Sequence, residues 1–276
     1  MTNRDLNLDF IKGVGIFLVV LAHTWNHGLV IYEFHMPLFF ILSGAAMSLS
    51  ARKFSIVKKA KSLLVPYFVF SCLFFAYWFL LEQRLRPVPE QGVFEGSWLE
   101  CIFGSLSLQA QQFVNIFIAA TGPDNFIYDV VLWFLPALFV AECIFGFIKD
   151  TKWEWVVDAL CIAFAHFLAC KSIGTPWCAD LAIVAVPFLS LGYHAYQPAV
   201  KMFRRIRWSG ALVTLVSLVC FAVLFVALSP VTDMLQHLIS PVFYTMGILG
   251  SVMVISVAYA LNKPNLVGGG ILGATR

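Results

Sequence analysis

An amine and an imidazole stand eleven residues apart inside the first long apolar run of this chain: Lys12 and His23, within Leu8 to Ile31. On an α-helix eleven steps of 100° come to 1100°, about 20° past three turns. The two side chains therefore leave nearly one face, about 16.5 Å apart along the axis. Ionisable groups are costly in hydrocarbon and ordinarily face a bundle interior or a wet cavity, where they serve transport or chemistry. Imidazole titrates near neutral pH and can take a proton from an attacking hydroxyl, which makes His23 a candidate general base. Lys12, nearer the start of the helix, is a candidate partner for an anionic donor, and Asp9, three residues before it, is placed to pair with it. The structural alternative gives His23 an interhelical hydrogen bond and lets Lys12 snorkel to the headgroups.

Other side chains are weaker candidates. His27 and His35 could join His23 around a metal, but Glu33 is the one carboxylate close in sequence and no HExxH or cysteine-rich spacing accompanies them, so no metal is expected. Ser43 has no nearby base and is a poor nucleophile. Gly44, Ala45 and Ala46 are small enough to let two helices approach, and read as a packing face. The seven cysteines lie mostly in apolar runs and read as packing residues; Cys170 and Cys178 flank one short outer loop and are the one pair spaced to bridge it.

The elements that must position these groups are membrane helices. With 61% hydrophobic residues, 12% charged residues and a mean hydropathy of +0.86, a soluble globular fold is excluded. Runs at about 8–30, 34–50, 63–81, 127–148, 153–170, 177–196, 209–229 and 239–261 predict about eight spans. No period-two alternation occurs, so the fold class is an all-α polytopic transmembrane bundle rather than a barrel. With the N terminus inside, 14 of the 18 lysines and arginines fall on inner segments, Arg84, Arg86 and Lys171 fall outside, and Lys12 lies within a span. That asymmetry predicts a cytoplasmic N terminus. The net charge of +3 reports this orientation, and no basic, aromatic module for nucleic acid is present.

Helices 1 and 2 should form a tight outer hairpin that gathers His23, His27 and His35. A basic connector, Arg52 to Lys61, follows on the inner side, with Pro66 expected in the first turns of helix 3. The long outer connection 82–125 is expected to carry an interfacial or re-entrant helix, as a lid or as a surface-lying packing element. No repeat or soluble domain is visible, so residues 1–276 read as one membrane domain. VGGGILGATR at the end is too short and glycine-rich for a further span.

Lys12-x10-His23 inside LDFIKGVGIFLVVLAH, then FHMPLFFILSG, the basic KKAKSLLVPYF and later LWFLPALFVAE, occur in an order that resembles the membrane acyltransferase 3 family, over residues 8–70 and 132–142. The wording is similar to its fucose 4-O-acetylase-like branch. The resemblance implies a core of usually ten helices in the cell inner (plasma) membrane. It also implies transfer of an acyl group, usually acetyl, from cytoplasmic acyl-coenzyme A to a sugar hydroxyl of a surface polysaccharide or glycolipid. The family's motif histidine falls on His23 and its motif arginine on Lys12. Lysine holds a phosphate as a point charge but lacks arginine's bidentate fork, so the donor geometry should differ. His35 is carried over as the histidine opening HMPLFF, with a lesser catalytic role. Lys58 and Lys59, with Arg52, fall on the basic approach to helix 3 and are placed to meet coenzyme phosphates.

The family usually continues through a glycine and polar turn to a closing span, which VGGGILGATR resembles only in its first part. A truncated homologue acting as an assembly partner in a glycan-export complex is therefore one alternative. Another is a transporter of a small organic anion, which predicts flux without coenzyme A and internal repeats.

Overall fold

The computed structural model describes residues 6–24, 29–50, 53–82, 99–120, 131–171, 175–205, 209–228 and 241–261. His27, Arg52, residues 83–98 of the outer connection and the segment VGGGILGATR lie outside them. All regular structure among the described residues is helical. The helices are α1 (Leu6–Thr24), α2 (Leu29–Tyr32), α3 (His35–Leu49), α4 (Ile56–Tyr77, continued by a π-helical turn Trp78–Glu82), α5 (Glu100–Phe103), α6 (Leu108–Ile118), α7 (Phe134–Ile148), α8 (Glu154–Cys170), α9 (Ala179–Arg205, entered through a 3-10 turn Pro176–Cys178), α10 (Ser209–Leu228) and α11 (Pro241–Leu261). Among the described residues six stretches are long and apolar enough to cross a bilayer: Asn7–Thr24, Val30–Leu49, Ile56–Glu82, Pro176–Phe203, Ser209–Leu228 and Val242–Leu261; Phe134–Ile148 is a shorter apolar helix. The chain is an all-α polytopic bundle, with a helix for each span read from the sequence.

Two boundaries differ from the sequence reading. Val30 and Ile31 belong to the second span, because α1 stops at Thr24 and the chain resumes as α2. Pro66 is not in a first turn: α4 starts at Ile56, so the proline lies inside the helix. The residues KKAKSLL are strong helix formers and carry the helix back through the basic segment, at the cost of the one hydrogen bond Pro66 cannot donate.

Two compact units are formed. The first comprises Met1–Arg52, Phe188–Asp233 and Leu238–Arg276. Its helices associate through small residues and interhelical hydrogen bonds, as expected where lipid removes the hydrophobic drive between helices. Leu8, Ile11, Gly15 and Ala22 form the buried stripe of α1, and Gly15 meets the Phe39 ring of α3. Gly44 of α3 lies against the backbone of Leu189 on α9, while Gly192 of α9 lies against the backbone of Ile41 on α3. The two backbones are in contact through reciprocal glycines, so the small-residue packing face expected around Gly44 is present. Gly247 and Gly250 of α11 receive Pro37 and Phe34 at the start of α3. Hydrogen bonds Thr214 Oγ1 to Ser256 Oγ (2.8 Å) and Tyr196 Oη to Tyr259 Oη (3.0 Å) tie α11 to α10 and to α9.

The second unit comprises Lys53–Pro187 and Met234–His237. Tyr67, Ser71 and Trp78 are its buried residues on α4 and the following turn, spaced four and seven residues apart on one face. The helix packed on that face, α6, is amphipathic with its polar side inward: Gln111, Gln112 and Asn115 are buried, whereas Phe113 and Phe117 are exposed. A helix lying on a membrane surface puts polar groups toward water, and this pattern is the inverse, with the amides turned into protein. The end of α6 is fixed by three elements. Tyr67 Oη donates to the Ile116 carbonyl (2.9 Å), Ala120 N donates to Asn115 Oδ1 (3.0 Å), and Cys178 N and Sγ donate to the Ala119 carbonyl (3.1 and 3.2 Å). Ala119 and Cys178 both take left-handed φ there, at 47° and 50°. This part of the outer connection is a built-in element of the unit. All seven cysteines are free, and Cys178 is buried in this contact rather than bridged to Cys170.

Candidate active site

α1 is one continuous helix from Leu6 to Thr24, so the eleven-residue spacing of Lys12 and His23 holds in space. Both lie to the same side of the buried stripe formed by Leu8, Ile11, Gly15 and Ala22, about 70° and 90° round the helix from its middle. Lys12 is half-buried and His23 is exposed. They thus occupy one flank of α1, at its two ends, rather than its packed face. Asp9, also half-buried, precedes Lys12 by three residues.

The C-terminal end of this helix meets the α2–α3 junction. Tyr32, the last residue of α2, reaches back across nine residues of sequence: its hydroxyl lies 3.3 Å from the Ala22 carbonyl and 3.3 Å from His23 Nδ1. The tyrosine and His23 rings meet edge to face at 5.6 Å. On the other side Tyr32 meets the ring of His35 edge to face at 5.4 Å. His35, first residue of α3, is buried, and its Nδ1 donates to the Ile31 carbonyl (2.9 Å). Glu33 is buried beside them in sequence. Two of the histidines read from the sequence are therefore gathered around one tyrosine that the sequence reading did not single out. Its signal was an aromatic hydroxyl in the turn between two histidine-bearing helices.

In the second unit Lys58 is exposed in the first turn of α4. Its neighbour Lys59 is committed elsewhere: Lys59 Nζ lies 2.6 Å from Glu142 Oε1, with the lysine side chain 32% exposed and the glutamate 2%. Glu142, on α7, closes the LWFLPALFVAE motif and was not singled out either; an acid inside an apolar helix was the available signal. A buried carboxylate needs a cation or donors, and Lys59 supplies the charge across 83 residues of sequence. Among the described residues no three His, Cys, Asp or Glu side chains gather as a metal-ligand set.

Within the first unit, the His23–Tyr32 pair at the C-terminal end of α1 can pass a proton, and Lys12 adds a half-buried cation on the same flank. A family model described as an acyltransferase domain matches residues 5–265, nearly the whole chain. The chain belongs to the acyltransferase 3 family. The acyltransferase 3 motifs read from the sequence thus stand within a domain-wide match. A stretch of 82 residues is 39% identical to nodulation protein NolL of Sinorhizobium fredii (strain NBRC 101917 / NGR234). That similarity covers 23% of this chain and 22% of the relative, so the chain spans under a quarter of the curated protein it matches. No solved structure matches this acyltransferase 3 chain.

Proposed function

We propose that the protein is a multi-pass acyltransferase of the inner (plasma) membrane. It transfers an acyl group, acetyl in the simplest case, from cytoplasmic acyl-coenzyme A to a sugar hydroxyl of a surface polysaccharide, glycolipid or lipid-linked sugar. The observation that carries this reading is the exposed imidazole of His23 beside Tyr32 at the C-terminal end of α1, on the same flank as Lys12, in a chain matched over residues 5–265 by the acyltransferase family. Lys12, Arg52, Lys58 and Lys59 are the cations proposed to bind the donor's phosphates. The pantetheine arm then brings the thioester toward His23. His23 takes the proton of the acceptor hydroxyl, the hydroxyl oxygen bonds to the thioester carbonyl carbon, and the carbon–sulfur bond breaks. The proton passes from the imidazolium to the departing thiolate, which leaves as free coenzyme A. His35, already donating to a backbone carbonyl, supports the geometry of the turn that carries Tyr32.

Purified protein in lipid vesicles, incubated with acetyl-coenzyme A and a panel of glycan acceptors, should yield acetylated glycan by mass spectrometry together with stoichiometric free thiol. Solute flux across the vesicles without thiol release would replace the transferase by a transporter.

A further inference from the structure

We infer that Tyr32 is a positioning residue that fixes the tautomer of His23, placing the imidazole proton on Nδ1 and leaving Nε2 as the nitrogen that accepts the substrate proton. The inference rests on the proposed transferase reading for its catalytic meaning, but the tautomer itself stands on geometry alone. The Ala22 carbonyl oxygen and His23 Nδ1 each lie 3.3 Å from the Tyr32 hydroxyl. The carbonyl can only accept, and the phenol owns one proton. If that proton went to Nδ1, the phenol and carbonyl oxygens would face each other with no hydrogen between them, two partial negative charges in contact. If it goes to Ala22, Nδ1 must be the donor to the phenol oxygen. Every group in the chain Nδ1–H to Tyr32 O–H to Ala22 C=O is then satisfied.

His35 shows the same choice imposed more directly, since its Nδ1 faces the Ile31 carbonyl at 2.9 Å and must carry a proton. Tyr32 stands edge to face with both rings, at 5.6 and 5.4 Å, so the turn holds two imidazoles in one protonation pattern. When His23 takes the acceptor's proton at Nε2, the phenol oxygen still accepts from Nδ1 and shares the new positive charge; nothing has to reorganise. An acceptor at Nδ1 that fixes a neutral imidazole without bringing a negative charge is a mild version of the usual orienting partner of a general base.

The test has one arm that needs no activity and one that does. Nitrogen-15 spectra of the full-length protein in lipid, labelled at the histidine rings and assigned for His23 by difference against His23→Gln, should show a protonated Nδ1 and a bare Nε2. In Tyr32→Phe, which removes a single oxygen, the Nε2–H form should gain population. A wild-type spectrum with bare Nδ1 at His23, or one unchanged in Tyr32→Phe, overturns the inference. In the activity arm, Tyr32→Phe should lower kcat roughly 5- to 20-fold with the KM for acetyl-coenzyme A unchanged. In a His23→Ala background it should have no further effect, because Tyr32 acts through His23. A loss that persists without His23 assigns Tyr32 a structural role and refutes the positioning one. Full activity in His23→Ala alone would instead remove the transferase mechanism, and the nitrogen spectra would still decide the tautomer.

Discussion

Replacing Gly44 by alanine should separate α3 from α9. The added methyl would lie 2.8 Å from the Leu189 carbonyl carbon and 2.9 Å from Tyr193 N, with the Leu189 carbonyl oxygen nearer still. Ordinary van der Waals contact begins at 3.4 Å, so the carbonyl carbon alone requires the backbones to part by 3.4 − 2.8 = 0.6 Å and the nearer oxygen requires more, and all three atoms are backbone rather than a flexible side chain that could swing aside. A gap of ~0.5–1 Å forfeits roughly a quarter to a half of the dispersion well for each atom pair along the seam. Overpacking of this kind costs about 1–3 kcal/mol, or roughly 2–4 °C of Tm per kcal/mol for a domain of this size. Gly192→Ala meets the Ile41 backbone in the same way, at 2.7 Å from its carbonyl carbon, and should cost as much. The double variant should cost less than the sum, because the first methyl opens the space the second enters. Gly13→Ala is the control: nothing lies within 4 Å of its added carbon, and alanine's helix propensity favours it by about 1 kcal/mol. Thermal unfolding in one detergent, read by tryptophan fluorescence or aggregation, compares all four. Equal melting of Gly44→Ala and Gly13→Ala would refute the backbone contact.

Other expected outcomes follow from the second unit. Lys59→Met should destabilise by about 1–3 kcal/mol, less than the ~3–5 of a fully buried pair because the lysine is 32% exposed. Glu142→Gln should cost less, since the freed lysine can extend to water while a freed buried carboxylate cannot; unfolding midpoints of the two variants decide the order. Lys58→Glu should raise the KM for acyl-coenzyme A roughly 3- to 10-fold with little change in kcat, as expected for a cation that binds donor and transition state alike. Tyr67→Phe leaves the Ile116 carbonyl without its donor and should cost about 1–3 kcal/mol. The readout is faster protease cleavage within residues 99–120, and an unchanged rate would show that the Tyr67 bond does not hold α6.

Much of the bundle was legible because membrane spans are long, apolar and separated by basic or polar connectors, so each of the eight runs became a helix. The Lys12–His23 relationship was also legible, since both lie on one unbroken helix and the spacing alone sets their relative face. Gly44 could be read as a packing residue, but its counterpart Gly192 could not, because only the crossing of α3 and α9 makes it a contact. Pro66 misled: a proline suggests a helix start, and the helix-forming KKAKSLL segment before it moved that start back to Ile56. Tyr32, Glu142 and the inward amides of α6 were missed for one reason. Each acquires its meaning from a partner on another element, whether His23 nine residues back, Lys59 across 83 residues, or the Tyr67 face of α4, and periodicity within one helix carries no trace of it.

Acetyl transfer from labelled acetyl-coenzyme A to glycan by vesicle-reconstituted wild-type and His23→Ala protein addresses the general-base assignment most directly. Wild-type protein should turn over and His23→Ala should fall by roughly 10²- to 10⁴-fold, with helical content and melting temperature retained. Transfer by the His23→Ala protein at the wild-type rate would contradict it.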